Sequence, residues 1–216
     1  MKPVAEIEGL EIVVIGVLNP QIFHPEWFAR QKLIQEGEAE KSTVEVVSPD
    51  VSSFSIGWAR LQVVREYVSF GTNQAQNYEL LRDLATGTFK FLRFTPVYKF
   101  GINRSSHFKM ENQEQSNALG HQLAPKDKWE NLLIKPGLMS LSMQGLRPDG
   151  YKGNINVNVE PSVKFQPGVY IRVNDHFELE ETGAESPCEK LIRMLGTEFG
   201  ESLKRYTKIS EEILAI

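Results

Sequence analysis

Two histidines, His107 and His176, each close a polar run that follows an apolar, strand-like stretch: Asn103-Arg104-Ser105-Ser106-His107 and Asn174-Asp175-His176. Neutral imidazoles with a nearby carboxylate such as Asp175 suit zinc or iron. Loops carried on a rigid sheet also host binding residues more often than the sheet itself. Asn103, Arg104, His107, Asn174, Asp175 and His176 are therefore the candidate site, provided the fold brings two strand-end loops into one cleft. Against a metal, the chain has no His-x-x-x-His, no His-x-His and no cysteine pair. Asparagine at a strand end also has a plain role, taking a turn conformation. No metal or other cofactor is predicted, and no catalytic residue is assigned.

Other chemistries find less. No Gly-x-Ser-x-Gly elbow surrounds Ser105 or Ser106, and there is no Walker loop or dinucleotide fingerprint. Cys188 falls at a helix start, where the dipole lowers a thiol pKa, but Glu185 and Glu189 push it the other way, so it reads as structural. Glu178, Glu180, Glu181 and Glu185 read as a solvated acidic face.

The elements that must position these residues are plainest between Leu146 and Glu185. Ile155, Val157, Val159, Val163 and Phe165 alternate with polar residues, a half-buried strand. Gln166-Pro167-Gly168 turns the chain, and Val169, Ile171 and Val173 return it as a hairpin. Ser186-Pro187-Cys188-Glu189 is a capping box with Pro at the first helical position, and Ile192, Leu195, Phe199, Leu203, Tyr206, Ile209 and Ile213 carry a long apolar face beyond it. Upstream, residues 10–18 form a β-branched central strand, Pro25 opens a short helix, and residues 36–41 read as a charged loop. A meander follows over Val44–Phe70, then a helix over 76–93 and a strand over 97–102.

These elements predict an α+β fold with two antiparallel-sheet layers covered by helices. The expected organisation is an N-terminal half over 1–110, a helical linker over 111–138 and a C-terminal hairpin or meander with its long helix over 139–216. Leu61–Phe70 and Val157–Phe165 share a spaced apolar pattern, and Pro96-Val97-Tyr98 is echoed by Gly168-Val169-Tyr170, which raises two related halves. Gly196 and Gly200, four apart on the last helix, suggest close approach of a second backbone. The part of that helix past Tyr206 is a candidate for pairing with another copy.

Composition narrows the class. At 216 residues with net charge −4, the chain carries no basic block or stripe, which argues against nucleic acid. A single cysteine cannot form an internal disulfide and points to a reducing compartment. The apolar run 10–18 is too short for a membrane span, and the expected location is cytoplasmic. Thr95-Pro96-Val97-Tyr98-Lys99-Phe100-Gly101-Ile102-Asn103, after a meander and a helix, resembles a broad group of uncharacterised bacterial proteins in which a similar strand ends in Gly-x-Asn. That resemblance implies a bacterial cytoplasmic protein and no particular activity. With no catalytic signature and a long apolar helix, the leading expectation is a non-enzymatic scaffold that associates with itself as a homo-oligomer, or with another protein. The alternatives are a metal-assisted or acid/base hydrolase around His107 and His176, and a small-ligand binding module between the halves.

Overall fold

The computed structural model describes residues 4–180 and 185–215. Among the described residues nine strands build one antiparallel sheet: β1 (Ala5–Gly16), β2 (Thr43–Val47), β3 (Val51–Ile56), β4 (Ala59–Val64), β5 (Tyr67–Thr72), β6 (Val97–Lys109), β7 (Leu141–Leu146), β8 (Gly153–Pro161) and β9 (Gly168–Glu178). Their spatial order is β2-β3-β4-β5-β1-β6-β9-β8-β7. The helices are α1 (Pro25–Arg30), α2 (Glu36–Glu40), α3 (Tyr78–Phe91), α4 (Gln113–Leu123) and α5 (Pro187–Ile213). The mixed class is as expected. Instead of two sheet layers there is one sheet, because β1 and β6 pair with each other from Ala5 and Phe108 to Gly16 and Val97. The expected linker over 111–138 contains α4, and the strands before and after it meet where β6 pairs with β9.

Two adjacent rows across the sheet show how alternation sorts the sequence. One row, followed from edge to edge, reads Gly145, Ile155, Asp175, Ile102, Ile12, Phe70, Leu61, Phe54 and Val44. The next reads Gln144, Asn156, Asn174, Asn103, Glu11, Gly71, Arg60, Ser55 and Thr43. Successive side chains point to opposite faces, so a one-residue step separates an apolar face from a polar one. The apolar face packs under α1, α3 and α5 in a core that includes Ile12, Phe54, Phe70, Leu81, Phe100, Phe177, Leu195 and Phe199. A second cluster, Phe108, Met110, Leu119, Val159, Val169, Ile171 and Leu214, lies under α4 and the end of α5.

Several expectations shift. Residues 36–40 form α2, with Gln35 N donating to Glu38 Oε2 at 2.8 Å and Ala39 buried, so the charged stretch is a helix. β8 stops at Pro161, and the buried Ser162 turns the chain by accepting the Lys164 and Phe165 amides at 3.1 Å, leaving Val163 exposed. α5 begins on its capping box, Ser186 N donating to Glu189 Oε2 at 2.9 Å. Past Tyr206 it does not project: Ser210 and Leu214 are buried and Ile213 packs on the second cluster. A Cβ added at Gly196 or Gly200 would meet nothing within 4 Å, so these glycines face open space instead of another backbone of this chain. Cys188 is buried, its thiol 3.7 Å from the carbonyl oxygens of Phe89 and Leu92, and burial followed by the charge of Glu189 pushes its pKa up to about 11. It is an inert packing group.

Candidate functional site

The six candidate residues are not in loops. Asn103, Arg104 and His107 lie inside β6, and Asn174, Asp175 and His176 lie inside β9. The two strands are neighbours, so some of the six do meet, and the pleat divides them between the two faces. Asn103 and Asn174 are register partners on the polar face, where Asn174 Nδ2 donates to Asn103 Oδ1. His107 and His176 share that face, but His107 is opposite Tyr170 and His176 is opposite Gly101. Six residues of strand separate them, roughly 20 Å at the usual rise. His107 Nδ1 sits 2.9 Å from Ser162 Oγ with its ring 4.6 Å from that of Tyr170. Burial, then the charge of Lys164, lowers its pKa; burial, then Lys99, lowers that of His176, although Glu178 pulls the other way. No group of three or more His, Cys, Asp or Glu among the described residues is arranged to hold a metal ion.

Arg104 and Asp175 point to the helix-covered face. Arg104 reaches Thr207 Oγ1 at 3.1 Å and Glu8 at 3.4 Å and lies 4.5 Å over the Tyr206 ring. Asp175 is buried and binds Arg147 and Arg205. Asp149 joins them, accepting from Arg147 Nε at 3.0 Å and Arg205 Nη2 at 2.8 Å. Arg147 also donates to His176 O at 3.2 Å and lies 3.5 Å over Phe177, which stacks on Phe100 at 4.5 Å. Burial alone would raise the Asp149 carboxyl, but hydrogen bonds and charge from Arg147 outweigh it and hold its pKa low. This four-residue cluster ties the β7–β8 turn to β9 and α5. Arg147 and Arg205 were not read from the sequence. The available signal was Asp175, a charge in the apolar phase of Val169, Ile171, Val173 and Phe177 that required a buried cation.

The polar face is ordered by side-chain hydrogen bonds. Gln144 donates to Asn156 Oδ1 at 2.7 Å, Asn156 to Asn174 Oδ1 at 3.0 Å, and Asn174 to Asn103, so amides link β7, β8, β9 and β6 in one row. Where the row crosses the sheet centre, a cavity of about 710 Å³ opens, lined by residues of β1, β2, β3, β4, β5, β6 and β9. Its walls carry Arg60, which pairs with Glu45 outside the lining at 2.8 Å, and Arg172 facing Glu11 at 4.0 Å. The rim is braced. Trp58 Nε1 donates to Glu38 at 2.8 Å, Thr72 Oγ1 donates to Trp58 O at 2.6 Å, and the Gln74 amide N–H donates to Thr72 Oγ1 at 3.2 Å. The arrangement presents fixed donors and acceptors. Of the six candidates only Asn103 lines it; Glu11, Arg60, Gly71 and Arg172 were missed, because Glu11, Gly71 and Arg60 fall into one row with Asn103, and Arg172 opposite Ser105 in the next polar row, only once the strands are in register. Neither a protein-family model nor a curated protein sequence matches the chain.

Proposed function

We propose that this chain is a non-enzymatic binding protein whose ligand docks on the helix-free face of the sheet. The observation that carries the reading is the contrast between the two rows: one face is buried under helices, while the other presents ordered amides, hydroxyls and ion pairs around a cavity of about 710 Å³. That volume lies within the roughly 300–1,000 Å³ of small-molecule sites. Two further points belong to this reading. The order strand, meander, helix occurs in β1, β3–β5 and α3 and again in β6, β7–β9 and α5, which supports two related halves meeting at the β1–β6 pair. The sequence echo of 96–98 with 168–170 does not follow that correspondence, since those segments begin β6 and β9. A reducing, cytoplasmic setting is supported by the lone buried cysteine; no helix among the described residues is long and apolar enough to cross a membrane.

The test is an NMR screen of the full chain against a fragment set spanning cationic, anionic, neutral polyol and aromatic chemistries. Shift changes should gather on Glu11, Arg60, Gly71, Asn103 and Arg172. Changes confined to the helix face or scattered over the surface would sink the reading.

Self-association remains a second reading, favoured by edge strand β2, where Val44, Val46 and Val47 are all exposed. An exposed apolar edge is a template for pairing with another chain, and a lysine there blocks it. Light scattering over a range of concentrations should give a dimer that Val47→Lys dissolves; a monomer at every concentration would remove this reading.

A further inference from the structure

Gly71 is the floor of the cavity. It stands on β5 between Arg60 and Glu11, and a Cβ built there would meet only Arg60 O at 3.8 Å and Leu10 O at 3.9 Å, ordinary contact distances. The other polar-face glycines of the central strands differ. At Gly9 the same space is approached by Asn73 Oδ1 at 3.1 Å and Ser105 Oγ at 3.3 Å, and at Gly101 by Asn174 Nδ2 at 2.8 Å. Neighbouring side chains fill two of the three positions and leave the third open. Glycine weakens a strand interior, and one whose side-chain space is empty marks a place where something outside the chain approaches the backbone.

The walls specify what approaches. A cation would meet Arg60 and Arg172, and an anion would meet Glu11, while each arginine already faces a carboxylate. Lys41, at the rim, is the lining cation without an ion pair among the described residues, and it ends a helix that carries Glu36, Glu38 and Glu40. Asn103, Ser105, Asn73 and Gln74 supply donors and acceptors together, the pattern matched by a hydroxyl group, which is both. Trp58 and Tyr170 add ring surface. We infer that the cavity binds a neutral polyhydroxylated ligand, a carbohydrate, seated on Gly71; this rests on the open-face reading above.

The full chain is probed on an array of neutral and acidic glycans, and hits are titrated calorimetrically with the soluble oligosaccharide. A neutral glycan should bind, and Gly71→Leu, whose Cβ meets no atom closer than 3.8 Å and whose longer side chain occupies the floor, should weaken it at least tenfold with an unchanged melting temperature. Arg172→Ala, at an exposed side chain, gives an independent check and should also weaken binding. Binding only to acidic glycans, no binding to any neutral glycan, or affinity untouched by both substitutions would overturn the inference. If fragments perturb the open face while no glycan binds, the ligand class alone fails; if nothing perturbs that face, the binding reading fails with it.

Discussion

Asp175 shows how one residue in the wrong phase of a strand organises its surroundings. It occupies an apolar position between Ile155 and Ile102 in the transverse row, so its charge must be met inside the protein. Arg147 and Arg205 meet it, and Asp149 balances the second arginine. Replacing such a cluster as a whole by apolar groups is often neutral, whereas removing one member leaves a buried charge uncompensated. Asp175→Ala should therefore lower stability by about 3–5 kcal/mol in urea unfolding; a loss below 1 kcal/mol would show Arg147 to be solvated. The histidines act in the opposite way. His107 and His176 have lowered folded pKa values, so the unfolded chain takes up their protons first. Their contribution is complete above the unfolded value of about 6.5 and is lost as pH falls through the lower folded values. A His107→Gln, His176→Gln variant should flatten the stability profile below pH 6.5, and an unchanged slope would assign the titration elsewhere.

At the level of elements, α5 is the best case of local sequence and tertiary role agreeing. Its start follows from Ser186, Pro187 and Glu189, and its apolar face lands on both hydrophobic clusters. Ser186→Ala should cost about 1 kcal/mol. Gly196→Ala should add up to about 1 kcal/mol, because nothing lies where the new methyl would go and the helix loses a flexible residue. Calorimetric melting of the two variants checks both signs; destabilisation by Gly196→Ala would mean that this face is covered. β6 is the counter-case. Asn103-Arg104-Ser105-Ser106-His107 has too little apolar content to announce a strand, yet it is one. Asn103, Ser105 and His107 go to the polar face, while Arg104 and Ser106 go beneath α5, where Arg104 finds Thr207 and Tyr206.

At the scale of the molecule, the central β1–β6 pair makes the sheet a single unit. A chain clipped by protease between Leu123 and Leu141 should keep its two fragments together in gel filtration and should unfold in one transition. The reason is that β6 and β9, on either side of the cut, stay hydrogen-bonded, with α3 packed on α5. Fragments that separate in buffer would restore the picture of two independent halves. The exposed Trp129, Leu132, Leu133 and Ile134 in that connecting segment make it accessible to the protease.

Period and capping sufficed to locate most helices, the β3–β5 meander and the β8–β9 hairpin, because those signals lie within a few residues of one another. The α5 start, the strand alternation and the structural thiol were all legible that way. Which faces the alternating residues would line, and that one sheet would form in place of two, depended on β1 pairing with β6 across some ninety residues of chain. The same long-range register placed Glu11, Gly71 and Arg60 in one row with Asn103 and Asn174 and separated the two histidines. Local pattern specifies which residues share a face of a strand; only the assembled sheet decides which strands lie side by side, and the cavity on the polar face is made of that adjacency.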